Sequence, residues 1–220
     1  MTLTNVLIAV NVLVFLWEYG TGTFWGTSQQ QSLALYDHGG LYGKAVLLDG
    51  QWWRIVTGAF LHGEIAHIAL NMFALFQVGR FVEMLYGKLR FALIYAIALV
   101  GSGLAVVYLT PDEVTIGASG AIFGLFGALV AIGLRLGPRG RSLITQVLPI
   151  IVINLVFTLL VPGISWQAHV GGLITGFVAG YLLFMVSPRE RSRAYAYAFQ
   201  PAADQGRVQT IEQPPVEPPR

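Results

Sequence analysis

The chain has 220 residues, of which 55% are hydrophobic, only 11% are charged and none is cysteine. Its 13 Lys+Arg and 11 Asp+Glu, with a mean hydropathy of +0.65, leave too little polar material to cover a soluble globule, in which about 25% of residues are charged, so lipid is the expected solvent. The missing thiols exclude disulfide frameworks, thiolate metal sites and cysteine nucleophiles, and a net charge of +2 is too small to act as a whole-protein field that would attract nucleic acid.

A helix that crosses a bilayer uses about 20 mostly apolar residues. Apolar stretches at 3–19, 58–79, 90–109, 117–135, 143–161 and 168–186 predict six such helices in an all-α bundle. The first lacks a basic n-region and runs into Glu18 and aromatic residues instead of a small-residue cleavage site, so it is expected to be retained as a span. Residues 20–57 form a long first loop rich in Gly, Gln and aromatics, among them Trp25, Tyr36, Tyr42, Trp52 and Trp53. Such residues favour the headgroup level, which predicts a loop lying in the membrane interface, and loops of this length more often serve function than connection. Six spans put Arg80, Lys88, Arg90, Arg135, Arg139, Arg141 and the five arginines of the C-terminal segment on the side of the N-terminus, leaving only Lys44 and Arg54 opposite. The positive-inside bias then predicts a multi-pass protein with both termini in the cytosol. Residues 1–186 read as the membrane domain and 187–220, rich in Pro, Gln and charge, as a disordered cytosolic tail.

Strongly polar residues inside spans cost free energy and usually mark function. They are His62, Glu64, His67 and Asn71 in the second predicted span, Ser119 in the fourth, Asn154 in the fifth and His169 in the sixth. The segment His62-Gly63-Glu64-Ile65-Ala66-His67 superficially suggests a zinc-protease helix, but that motif needs histidines at i and i+4. Five residues apart on a helix, these two would point roughly 140° away from each other, so no metal is expected; any metal site would have to pair residues such as His67 and His169.

Gly117-Ala118-Ser119-Gly120 opens the fourth span just after the polar turn Thr110-Pro111-Asp112-Glu113. A serine there sits among backbone N–H groups without intrahelical partners, at the helix end that favours developing negative charge, as an oxyanion requires. On its own the same serine also reads as a small packing residue in a glycine-rich helix. Depth brings a partner to it. Ser119 lies roughly 24 Å from Arg135 and His169 roughly 27 Å from Ser187 along their helices, so in a hydrocarbon core about 30 Å thick both fall just below the outer surface. His67 sits slightly deeper on the same side, with Asn71 one turn below it on the same face. His169, Gly172, Gly176 and Gly180 share one stripe of the sixth span, and Gly120, Gly124, Gly127 and Ala131 one of the fourth. Small stripes allow the close helix approach that a Ser–His hydrogen bond between helices demands.

The pieces Trp53-Arg54, His67-x-x-x-Asn71, Gly117-x-Ser119-Gly120 and Ala168-His169-x-x-Gly172-x-x-x-Gly176, in this order across four elements, resemble the rhomboid family of intramembrane serine proteases. The resemblance covers residues 1–186 and implies a six-transmembrane-helix rhomboid-like bundle. It implies Ser119 as nucleophile and His169 as general base, a dyad without a carboxylate. An oxyanion site of Asn71, His67 and the Ser119 N–H follows in the same way, as do Phe123 stacked on the base histidine, Gly172 and Gly176 as close-packing glycines, and His62 as a structural hydrogen-bonder. The implied activity is hydrolysis of transmembrane protein substrates near the outer leaflet, after a small residue and at a locally unstable helix, with no cofactor. Implied partners are those substrates and the lipid bilayer, with no nucleic acid; no oligomeric state follows from the sequence. The rival reading, a small transporter or non-catalytic membrane-protein binder with His and Asn lining a polar path, lacks internal repeats and a charged midplane residue.

Overall fold

A computed structural model describes residues 1–22 and 28–184; Trp25 and the whole of the expected tail lie outside the described residues. Thr2 starts the first helix, α1 (Leu3–Gly20), by accepting the Asn5 N–H on its hydroxyl at 3.2 Å. The first loop is not open chain. It contains α2 (Ser28–Asp37), β1 (Leu41–Tyr42), α3 (Gly43–Asp49), α4 (Arg54–Thr57) and a 3₁₀ turn at Gly58–Phe60, elements too short to read from periodicity.

The second span begins later and ends later than 58–79. After an extended stretch around His62 and Gly63, α5 (Ile65–Ala74) passes through a π-turn at Leu75–Gly79 directly into α6 (Arg80–Tyr86). Arg80 therefore stands within the helix, stacked on the Phe76 ring at 4.9 Å, and does not end it. The added turn brings Glu83 under the start of α1, where its carboxylate accepts the Leu3 and Thr4 N–H groups, each at 2.8 Å, and the Thr4 hydroxyl at 2.7 Å. A negative charge at a helix N-terminus, satisfying donors that have no partner in the helix, is favourable on both counts. Gly87, at φ +77°, breaks the chain before α7 (Lys88–Leu109).

β2 (Val114–Thr115) pairs antiparallel with β1, with Leu41 opposite Thr115, and Lys44 forms an ion pair with Asp112 that holds the Lys44 ammonium above its ordinary pKa. These contacts tie the first loop to the entrance of α8 (Ser119–Arg135). α9 (Arg141–Leu160) and α10 (Trp166–Leu183) follow. Four of the helical runs, Leu3–Gly20, Ile65–Tyr86, Lys88–Leu109 and Arg141–Leu160, are long and apolar enough to cross a membrane, while α8 has 17 residues. α8 lies at the centre of the bundle: Ile122, Leu125, Ala128, Ala131 and Ile132 are all buried.

α10 packs along α8 and α7 because its glycines admit neighbouring backbone. A Cβ on Gly172 would overlap the Gly120 carbonyl, and one on Gly176 would strike the backbone of Gly124. Lower on the same seam Tyr86, buried, shares its hydroxyl proton between the carbonyls of Ala128 at 3.0 Å and Gly180 at 3.1 Å. Arg135 closes the end of the pair by donating to the Phe184 carbonyl at 3.1 Å. The molecule is an all-α, integral multi-pass membrane protein.

Candidate active site

Ser119 is the first residue of α8, and the segment that delivers it is fixed from two sides. Gly117 adopts φ +111°, which disfavours any residue with a side chain; a Cβ there would also lie 2.7 Å from His67 Nε2. The Gly117 N–H donates to the Gly58 carbonyl at 2.9 Å, and Gly58 sits at the end of α4, whose first residue is Arg54. The Arg54 guanidinium is buried, donates to the carbonyls of Tyr36 at 2.7 Å and Gly40 at 2.9 Å and to the Gln51 side chain, and lies over the rings of Tyr36 and Trp53 at 4.2 and 4.7 Å. The Trp53-Arg54 pair is thus the fastening of the first loop, and through Gly58 it bears on the position of Ser119.

His169 comes from the first turn of α10. Ser165 caps that helix by accepting the Ala168 N–H at 3.2 Å, and His169 is buried at 6% exposure. Its Nε2 lies 2.8 Å from Ser119 Oγ. The Phe123 ring, one turn after Ser119 on α8, stacks on the imidazole with centroids 4.1 Å apart and planes 15° apart. The other imidazole nitrogen, Nδ1, lies 2.8 Å from the hydroxyl of Thr158, a buried residue of α9. Sequence reasoning missed Thr158, because a threonine in an apolar helix is unremarkable until its neighbour on another helix is known.

His67 and Asn71 face the same cavity from α5. That cavity, about 720 Å³, is lined by both of them and by Ser119, His169 and Thr158 among others. Asn71 is buried and its side-chain amide donates to the His67 carbonyl at 2.9 Å, leaving a second N–H and the carbonyl oxygen of the same group. Glu64 and Asn154 also line the cavity, both exposed.

His62 is placed differently from the expectation. It precedes the helix, so helical rotation does not separate it from His67; their ring centroids are 5.0 Å apart. Its Nδ1 pairs with the Phe60 carbonyl at 3.2 Å, and its backbone N–H donates to the Glu18 carboxylate at 3.1 Å. Glu18, fully buried on α1, thereby pins the segment that enters α5. Among the described residues no group of three or more His, Cys, Asp or Glu side chains converges as a metal site would. A serine and an imidazole at hydrogen-bond distance, at a helix N-terminus and beside further donors, can perform acyl transfer.

The Rhomboid domain family matches residues 49–186, the range that holds every residue of this cavity's serine, histidine and asparagine cluster. Similar proteins include Rhomboid protease GluP of Bacillus subtilis, 38% identical over 83% of this chain and 35% of its own length. RHOMBOID-like protein 4 of Arabidopsis thaliana is 32% identical over 70% of this chain and 40% of its own. RHOMBOID-like protein 6, mitochondrial, from the same plant is 36% identical over 67% of this chain and 48% of its own. The chain thus spans between about a third and a half of the length of these relatives. A domain match over more than half of the chain and relatives above 30% identity over at least 67% of it lead to one conclusion: the chain belongs to the rhomboid family.

Proposed function

We propose that this protein is an intramembrane serine endopeptidase that cleaves transmembrane protein substrates. The observation that carries the reading is the 2.8 Å contact between Ser119 Oγ and His169 Nε2, inside an apolar bundle and at the N-terminus of α8. Membership of a family in which a relative is named a rhomboid protease supports it.

In the proposed reaction His169 Nε2 takes the Ser119 hydroxyl proton as Oγ forms a bond to the substrate carbonyl carbon, and the carbonyl π electrons move onto its oxygen. The Ser119 N–H, His67 and the free N–H of Asn71 stabilise that oxyanion. Collapse breaks the C–N bond, and the leaving amine takes the proton from His169. Water entering the cavity then repeats the sequence on the acyl ester, giving the acid and free Ser119. Phe123 keeps the imidazole plane aligned, and the Gly172 and Gly176 contacts hold α10 at the distance the hydrogen bond needs.

The wider reading is that six helices span the membrane, with both termini in the cytosol and the cavity open toward the outer face of a bacterial or archaeal cell membrane. Scission then falls near the outer leaflet, after a small residue, where an unstable substrate helix unwinds into an extended strand. The C-terminal segment 187–220 acts apart from this chemistry as a tail. Reconstitution in liposomes with a single-span test substrate decides the central claim. Ser119→Ala and His169→Ala are expected to leave the substrate intact while melting like the unmutated protein, and mass spectrometry of the products locates the cut. Cleavage by both variants at the unmutated rate would sink the dyad.

A further inference from the structure

We infer that Thr158 is a positioning residue for the general base: its hydroxyl oxygen, facing His169 Nδ1 at 2.8 Å while its proton is committed to the Asn154 carbonyl, fixes the imidazole in the tautomer that can accept the Ser119 proton. The inference rests on the dyad reading above and concerns a residue outside it.

The argument is one of proton counting. A threonine hydroxyl has one hydrogen and two lone pairs. In a helix it habitually donates to the carbonyl four residues back, and Thr158 does so, with Oγ1 2.8 Å from the Asn154 oxygen, an atom that can only accept. What Thr158 turns toward His169 is therefore a lone pair, and only a protonated Nδ1 can make the observed 2.8 Å contact. A neutral imidazole carries one N–H. With the hydrogen on Nδ1, Nε2 is bare, and it is Nε2 that lies 2.8 Å from Ser119 Oγ.

Both partners line the cavity yet expose little surface, Thr158 at 3% and His169 at 6%. Little solvent is then available to replace the contact, and an unpaired buried N–H is costly. When the base takes the Ser119 proton it becomes a double donor. Nδ1–H keeps its acceptor, and the charge spread over the ring is met by an oxygen lone pair on that side. In triad proteases a carboxylate orients the histidine and selects its tautomer. Here a neutral oxygen does the orienting, so no second charge has to be buried beside the imidazole. Two bonded nitrogens and one face stacked on Phe123 leave the ring no alternative setting.

The test uses the full chain in liposomes with a single-span test substrate, together with the rate at which a fluorophosphonate labels Ser119. Thr158→Val keeps the shape and removes the acceptor. It is expected to lower kcat by about 10–100-fold, by analogy with the loss of an orienting partner behind a metal-bound histidine, with KM unchanged and the labelling rate falling in parallel. Thr158→Ser restores the acceptor and is expected to recover most of both rates. Unmutated kcat and labelling in Thr158→Val would overturn the inference, as would an equal loss in Thr158→Val and Thr158→Ser accompanied by a raised KM, which is the signature of altered packing. If Thr158→Val fails to melt like the unmutated protein, the pair Thr158→Ala and Thr158→Ser carries the same comparison. Ser119→Ala separates the two levels: a cleaving Ser119→Ala defeats the protease reading itself, whereas an inactive Ser119→Ala beside a fully active Thr158→Val defeats only the role of Thr158.

Discussion

Helices α8 and α10 form one kind of contact and α9 another. Along the α8–α10 seam, glycine meets backbone at Gly120/Gly172 and Gly124/Gly176, so closely that an added methyl group has no room. In a bilayer, where lipid tails are as apolar as leucine, such small-residue contact is what holds helices together. In α9 this backbone-to-backbone contact is confined to the start, where its cap Gly140 abuts Gly133; only 22% of its most apolar stretch is buried inside the protein, and Val152, Ile153, Val156, Leu159 and Leu160 point outward. The serine and the histidine ride on the tightly bound pair, while the residue that orients the histidine from behind rides on the helix that mostly faces lipid. The distance between Ser119 Oγ and His169 Nε2 is therefore set by backbone packing, and the inferred proton arrangement by one side chain from a looser neighbour.

Five substitutions break or sharpen this contrast. Removing Ser119 or His169 has the largest expected effect, on the order of 10⁶-fold in kcat by analogy with soluble serine proteases, with unchanged melting in detergent. Asn71→Ala comes next: loss of one oxyanion donor costs about 10²–10³-fold in kcat, so cleavage should remain measurable where Ser119→Ala shows none. Equal and complete loss in a folded Asn71→Ala protein would assign it a different role. Gly176→Ala tests the seam directly. Its Cβ meets the Gly124 backbone, which cannot rotate away as a side chain would, and overpacking of this kind costs about 1–3 kcal/mol. A lowered Tm with slower cleavage is expected; an unchanged Tm would mean that the seam is slack. Ile153→Ala, 68% exposed on α9, should change stability by no more than about 0.5 kcal/mol. A larger loss would show that this face packs against protein and not lipid.

The contrast also explains what could be read from the chain. Ser119, His169, His67 and Asn71 are legible because polar groups in apolar helices are rare, and for Ser119 and His169 the spacing to Arg135 and Ser187 adds a common depth. The structure brings these four to one cavity. Thr158 and Glu18 were not legible, because the partners that give them meaning, His169 on the next helix and the His62 N–H 44 residues away, appear only on folding. The end of the second span was misjudged for a related reason. Arg80 reads as a boundary, but its guanidinium lies along Phe76 and the helix continues until Glu83 reaches α1. In the first loop, α2, α3 and α4 carry weak patterns of their own and are held by Arg54 and its carbonyl partners, a tertiary arrangement that local propensity does not encode.

Tyr86 bears on a different matter, the integrity of the barrier that the protein crosses. A hydrolytic site within a bilayer must admit water without letting water, ions or protons run through. The serine–histidine cavity ends above the point where the Tyr86 hydroxyl bridges α8 and α10, and around that level Leu75, Val82 and Ile132 are completely buried. Beneath the residues that line the cavity stands a phenol whose single proton is already shared by two carbonyls, so it offers no donor to continue a hydrogen-bonded water file. The proposed hydrolysis and the insulation of the barrier then occupy successive levels of the same helix pair.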